Sequence, residues 1–171
     1  MVRARSDGGR LISLLVFGYL SVWTMFGIVV HAGDAVLHLT VDNVPWLDQH
    51  AALIAAATVL LAGVYQFTPL KYHCLEGCRS PRAFIISRRR GQRPISEAFD
   101  LGIAHGLFCI GCCWTLMLLM FAVGVGSLGW MLVLGAVMAI EKNLPWGRRF
   151  SAPVGCLLLA WGTALAIRLA G

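Results

Sequence analysis

Long apolar runs are the feature that most constrains what this chain can fold into. Of its 171 residues, 58% are hydrophobic and only 13% are charged, and the mean hydropathy is +0.77. These values are typical of a membrane protein and argue against a soluble globule. Because a helix needs about 20 apolar residues to cross a bilayer, runs of this kind predict membrane helices. We therefore expect an all-α, polytopic membrane helix bundle in one integral membrane domain, residues 1–171.

Five apolar runs, each bounded by charges, glycine or proline, are predicted to be transmembrane helices. They are Leu11–Val30, Ala51–Phe67, Ala98–Val123, Leu128–Ile140 and Val154–Leu169. In this arrangement every Lys and Arg except Arg168 falls on one side of the membrane. The positive-inside rule then predicts a cytoplasmic N-terminus.

The formal net charge of +6 raises the question of a nucleic-acid partner. The basic residues are not interleaved with aromatic side chains that could stack on bases, so we expect no nucleic-acid binding. They are better explained as signals of membrane orientation. The partner that the composition predicts is the lipid bilayer.

The third predicted helix carries the stretch CIGCCWTLM, Cys109 to Met117. At 100° per residue, His105, Cys109, Cys112 and Cys113 fall within an arc of roughly 100°, with Met117 at its edge. A thiolate charge inside a bilayer costs free energy that a bound cation would offset. Packing alone is therefore a poor explanation for so many thiols on one face.

The connection after the second predicted helix carries two further thiols, Cys74 and Cys78. Pro69 is expected to end that helix just before them. Together with the third helix they offer thiolate, thioether and imidazole ligands, a soft set that selects copper(I) over magnesium, calcium or manganese. Zinc is the alternative, held by four thiolates from Cys74/Cys78 and Cys109/Cys112. We predict that the two groups of cysteines face each other.

Glu141 ends the fourth predicted helix beside Lys142 and allows two interpretations. The two residues can anchor the helix at the interface, with the lysine reaching towards water. Alternatively, Glu141 reaches the thiols as a carboxylate ligand or a proton acceptor. Glu141 therefore joins the predicted metal ligands, with the anchor as the alternative.

The predicted outer segment holds four further potential ligands within an arc of roughly 80° on a helix: His31, Asp34, His38 and Asp42. Imidazole and carboxylate groups in this pattern are able to bind zinc. A solvated helix face explains the same pattern and is the favoured interpretation.

Three blocks in this order resemble a known family: YQFTPLKYHCLEGCRSP, GIAHGLFCIGCCWTLMLLMF and EKNLPWG. They are similar to bacterial integral membrane proteins predicted to bind metal, a domain of unknown function with some members labelled copper chaperones. The resemblance covers roughly residues 18–147. It implies a bacterial inner-membrane location and metal-related roles for the matching residues, Cys74, Cys78, His105, Cys109, Cys112, Cys113, Trp114, Met117, Glu141 and Lys142. Where members carry Gly-x-Met-Asn-Leu-x-Trp-Met, this chain has GVGSLGWM.

The leading hypothesis for function is a membrane protein that handles a soft metal, with copper(I) as the expected ion. It would act as a chaperone or as a partner of a metal transporter or a metalloenzyme assembly system. Two alternatives stay open: a membrane thiol-disulfide oxidoreductase using Cys-x-x-Cys chemistry, and a structural subunit of a membrane complex. No catalytic triad or nucleotide fingerprint is present, so we expect neither hydrolysis nor nucleotide-driven transport. Under the leading hypothesis the protein is not an enzyme, and the redox alternative stays open.

Overall fold

The structure is a computed structural model that describes residues 8–80, 94–123 and 127–170. Within these ranges the regular elements are all helices, which confirms the predicted all-α class. They are α1 (Gly8–Asn43), α2 (Pro45–Gln49), α3 (Ala51–Tyr65), α4 (Pro69–Arg79), α5 (Pro94–Val123), α6 (Leu128–Asn143) and α7 (Gly147–Ala170).

Three described helices are long and apolar enough to cross a membrane: Gly8–Asn43, Ile95–Phe121 and Gly147–Leu169. A fourth candidate is the pair Ala52–Tyr65 and Pro69–Arg79, if these two helices, bent by 68°, form one span. By contrast, α6 has 16 residues. At 1.5 Å per residue it measures about 24 Å, less than the ~30 Å hydrocarbon core. The described residues thus hold three or four candidate spans, where the sequence predicts five.

The break between α3 and α4 differs from expectation. Pro69 was expected to end a helix, but α3 ends at Tyr65 and Pro69 lies in the first turn of α4. The Thr68 side chain caps this helix by accepting a hydrogen bond from the backbone N–H of Lys71 at 3.3 Å. Proline suits this position because its missing N–H has no partner in a first turn. Cys74 and Cys78 consequently lie on a helix.

Close approach of α1 and α5 depends on glycines in both helices. A Cβ atom on Gly18 would overlap the carbonyl oxygen of Phe99, and one on Gly102 would overlap that of Leu15. Small residues allow membrane helices to pack backbone against backbone. This contact places the thiol-bearing part of α5 beside α1.

The main apolar core lies where α3, α5, α6 and α7 meet. Its buried residues are Val59, Ala62, Leu116, Leu119, Leu134, Val154 and Leu158. Large apolar side chains also face outwards, among them Leu157 at 71% exposure and Ile167 at 72%. A lipid-facing surface explains this outward apolar character, because a soluble monomer rarely exposes so much apolar area.

Candidate metal centre

Cysteine side chains from two helices meet beside the main core. Cys74 and Cys78 lie on α4, and Cys109, Cys112 and Cys113 lie on α5. We call these five residues the thiol cluster. Cys112 and Cys113 are each 1% exposed, and Cys78 is half-buried. The structure thus brings together the two groups of cysteines that the sequence analysis expects to face each other.

A close contact between the two helices joins two sulfur atoms. Cys78 Sγ lies 2.8 Å from Cys109 Sγ, and Cys109 Sγ lies 3.7 Å from His105 Nε2. The thiols of Cys112 and Cys113 each donate to the carbonyl oxygen of Cys109 at 3.0 Å. Thiols and one imidazole therefore converge around Cys109.

Glycine makes this close packing of α4 and α5 feasible. An added Cβ on Gly111 would lie 2.7 Å from Cys74 Sγ, and one on Gly77 would lie 2.6 Å from the ring of Phe108. Neither space accommodates another carbon without a shift of the neighbouring side chain. Cys74 therefore lies beside Gly111 while Cys78 contacts Cys109, so both thiols of α4 face α5.

The CIGCCW stretch is also tied to α3. The hydroxyl of Tyr65 donates a hydrogen bond to the carbonyl oxygen of Gly111. The ring of Trp114 packs edge-on against Tyr65, with centroids 5.3 Å apart. These contacts fix the backbone that carries the thiols.

Apolar and thioether groups surround the cluster. Trp23, Phe108, Met117 and Met138 pack against its buried cysteines. Met117 was a predicted ligand and lies at the edge of the cluster. Met138 and Trp23 were not predicted, because their positions depend on how α6 and α1 pack against α5.

A cation reaches the cluster from α6. Lys142 Nζ lies 3.4 Å from Cys113 Sγ and 5.9 Å from the centroid of the Trp23 ring. The lysine is half-buried. The family resemblance implied a metal-related role for Lys142, but the residues themselves favoured an interfacial anchor, and its contact with Cys113 was not predicted.

Glu141, a predicted ligand, lies in a separate buried polar group with Gln66, Lys71 and Ser151, which we call the ion-pair region. Lys71 Nζ donates to both carboxylate oxygens of Glu141 at 2.8 Å, and Ser151 Oγ donates to one of them at 2.9 Å. Lys71 also donates to the side-chain oxygen of Gln66. Lys71 and Glu141 are each 1% exposed. A ligand role for Glu141 stays a prediction, and its carboxylate has protein partners here.

The outer potential ligands lie in the second half of α1. His31, His38 and Asp42 are exposed, and His38 Nδ1 lies 3.6 Å from the Asp34 carboxylate. His38 also bonds the carbonyl oxygen of Asp34 at 2.9 Å. Local contacts of this kind fit the favoured interpretation, a solvated helix face.

No set of three or more His, Cys, Asp or Glu side chains within residues 8–80, 94–123 and 127–170 is already arranged to hold a metal ion. The sulfur atoms of Cys78 and Cys109 contact each other at 2.8 Å. Two thiolates that share a tetrahedral zinc ion at ~2.3 Å each would lie roughly 3.8 Å apart. The thiols must therefore separate by about 1 Å or more to admit an ion, a change that side-chain rotation can provide.

Comparison with known proteins gives one match. The sequence model of the PpoB2 family, described as a copper chaperone, matches residues 1–165. No curated protein and no solved structure matches the chain.

Proposed function

This chain belongs to the PpoB2 copper chaperone family, which assigns it a role in copper handling, and we propose that the thiol cluster carries the copper as copper(I). One observation carries the proposal: thiols from α4 and α5 converge in a buried place, with Cys78 Sγ 2.8 Å from Cys109 Sγ. Buried thiols on two helices suit an ion that is bound and then released by ligand exchange.

The chemistry of the donor atoms favours this cargo. Cysteine thiolates and methionine thioethers are soft ligands that prefer copper(I). Cys78 and Cys109 are the first candidates, because their sulfur atoms already face each other. The neighbouring donors for exchange are Cys74, His105, Cys112, Cys113 and Met117. Zinc is the second candidate ion, because thiolates bind it as well.

The proposal also includes the location of the protein and the partners that exchange copper with it. Apolar helices indicate a membrane protein, and the distribution of basic residues favours a cytoplasmic N-terminus. The bacterial inner membrane is the location that the family resemblance implies. Copper would pass between the thiol cluster and a metal transporter or a metalloenzyme assembly partner. We propose a carrier rather than an enzyme.

The test is copper(I) stoichiometry of the detergent-purified full chain under reducing conditions. We expect the wild type to retain copper on gel filtration and the Cys109→Ser/Cys112→Ser/Cys113→Ser variant to lose it. Cys156→Ser is the matched control, because this cysteine is exposed on α7 away from the cluster. Equal copper content in the triple variant and the wild type would refute the proposal.

The same sulfur contact favours a second candidate function, a thiol-disulfide oxidoreductase. Cys78 and Cys109 are close enough to form a disulfide after a modest side-chain movement. Their oxidation would release two protons and two electrons to an acceptor such as a quinone. Thiol trapping in intact cells separates the two functions. A mixture of oxidised and reduced Cys78 favours the oxidoreductase. Reduced thiols that react with the trapping reagent only after a copper(I) chelator removes the metal favour the carrier.

A further inference from the structure

Lys142 is a half-buried cation whose near neighbours are sulfur atoms. Its Nζ lies 3.4 Å from Cys113 Sγ. In the described part of the chain, the carboxylate ion pairs involve His38, Lys71 and Arg148, and not Lys142. The adjacent carboxylate of Glu141 is bonded to Lys71. Partial burial of an ammonium group costs free energy unless negative charge lies nearby. An anion bound beside Lys142 would therefore stabilise it.

The ionisable groups that face Lys142 come from three helices besides its own. They are Tyr19 from α1, Cys78 from α4, and His105, Cys109, Cys112 and Cys113 from α5. In their ordinary neutral forms, none of these side chains carries a negative charge. The thiols become anions when they bind a metal, because the thiolate is the ligand form. Metal binding would therefore supply the charge that Lys142 lacks.

The backbone around Lys142 is held firmly against α4. Arg79 donates to the carbonyl oxygen of Glu141 at 2.7 Å and to that of Leu144 at 2.6 Å. Arg79 follows Cys78 directly in the sequence, so one end of α4 supplies both a cluster thiol and this clamp. The clamp holds the backbone of Lys142 beside the end of α4 that carries Cys78.

Charge balance then distinguishes between ions. Two thiols and one copper(I) ion give a bis-thiolate complex of charge −1 and two protons, and the ammonium of Lys142 makes the site neutral. A zinc(II) ion with the same two thiolates is already neutral, so Lys142 would leave a net charge of +1. A zinc(II) ion held by four thiolates, as in the zinc alternative above, has a charge of −2, and Lys142 would leave −1. Unbalanced charge is expensive in an apolar setting.

From this balance we infer that Lys142 is a specificity-determining residue that favours a monovalent ion over a divalent one at the thiol cluster. The inference rests on the proposed function, since it assumes that the cluster binds copper(I). It adds a role for a residue that donates no electron pair to the metal. The lysine acts as a fixed positive charge beside the complex.

The experiment compares Lys142→Gln with Lys142→Arg in the full detergent-purified chain. Copper(I) and zinc(II) affinities are measured separately by competition with chromophoric chelators. Because charge-assisted contacts near a buried site are strong, we expect Lys142→Gln to weaken copper(I) binding by roughly 10- to 100-fold. Zinc affinity should stay unchanged or rise, and Lys142→Arg should keep the wild-type ratio. Arg149→Gln, which removes an exposed cation, is the matched control.

The outcomes separate the two proposals. If the wild type binds no copper(I), the proposed function fails. If the wild type binds it and Lys142→Gln changes neither affinity, or lowers both by the same factor, the specificity role of Lys142 is refuted. An equal loss for both ions would point to a structural role for the side chain instead.

Discussion

Two adjacent residues on α6 enter two very different buried environments. Glu141 points into the ion-pair region, where Lys71 and Ser151 satisfy its carboxylate. Lys142 points into the thiol cluster, where its ammonium contacts the sulfur of Cys113. Residues next to each other on a helix are separated by about 100° around its axis, so one short segment contributes to both regions.

The difference between the two regions lies in how charge is compensated. In the ion-pair region a full negative charge meets a full positive charge, and both are 1% exposed. In the thiol cluster a cation faces thiols that become anionic only on losing protons. A completed pair needs nothing further, which suits a structural role. An incompletely balanced site gains stability from a ligand, which suits the proposed copper site.

Breaking the ion pair between Lys71 and Glu141 is expected to lower the free energy of unfolding more than the other changes below. Glu141→Gln leaves the ammonium of Lys71 buried without a carboxylate, and we expect the free energy of unfolding to fall by about 3–5 kcal/mol. Chemical denaturation of the detergent-solubilised protein, followed by circular dichroism, measures this loss. Glu76→Gln is the matched control, because Glu76 pairs with Arg148 at 56% exposure. Such a pair contributes roughly 0–1 kcal/mol.

The same variant tests Glu141 as a ligand. If the ion-pair region is only structural, the folded fraction of Glu141→Gln binds copper with wild-type stoichiometry. Loss of copper from folded Glu141→Gln protein would move Glu141 into the metal site and remove the contrast between the two regions.

Pushing α4 away from α5 is expected to lower stability by less than breaking the ion pair does, and to weaken copper(I) binding at the thiol cluster. In Gly111→Ala the new methyl group would lie 2.7 Å from Cys74 Sγ. Overpacking of this kind costs about 1–3 kcal/mol, and we expect a weaker copper(I) affinity because α4 carries Cys78. Affinity is read by competition with a copper(I) chelator.

Gly135→Ala is the matched control for that change, since a Cβ at Gly135 meets nothing within 4 Å. Alanine favours a helix interior over glycine by about 1 kcal/mol, so this control should be neutral or stabilising. Unchanged copper affinity in Gly111→Ala would show that the approach of α4 to α5 does not matter for binding.

Replacing the thioether at the edge of the thiol cluster is expected to have the smallest effect. Met117→Leu conserves volume and should cost less than about 1.5 kcal/mol in stability. We expect at most a several-fold loss of copper(I) affinity, because thiolates remain as the main ligands. Met131→Leu, an exposed position on α6, is the control. A loss comparable to that of the triple cysteine variant would make Met117 an essential ligand instead.

The helical class and the soft-ligand face of α5 were predictable because both follow from local periodicity. Side chains three and four residues apart share one face of a helix, so His105, Cys109, Cys112 and Cys113 could be grouped from their spacing. The approach of Cys78 to Cys109 was expected in outline, but the sequence did not decide whether the residues around Cys74 and Cys78 form a helix. Proline explains the latter, since it can end one helix or begin the next.

The roles of the lysines could not be predicted, because their partners lie far away in the sequence. Lys71 and Glu141 are separated by 70 positions, and Cys113 and Lys142 by 29. Such contacts depend on how α4, α5 and α6 pack against one another. Local sequence marks Lys71 only as a basic residue near a membrane segment and Lys142 as an interfacial anchor, so neither contact was predicted.

X-ray absorption at the copper edge shows directly which atoms bind the metal, with the 171-residue protein loaded with copper(I) under reducing conditions. We expect a copper(I) edge and nearest neighbours that are mainly sulfur, with the sulfur signal lost in the Cys109→Ser/Cys112→Ser/Cys113→Ser variant and kept in Cys156→Ser. Nearest neighbours that are only nitrogen or oxygen in the wild-type protein would contradict the proposal.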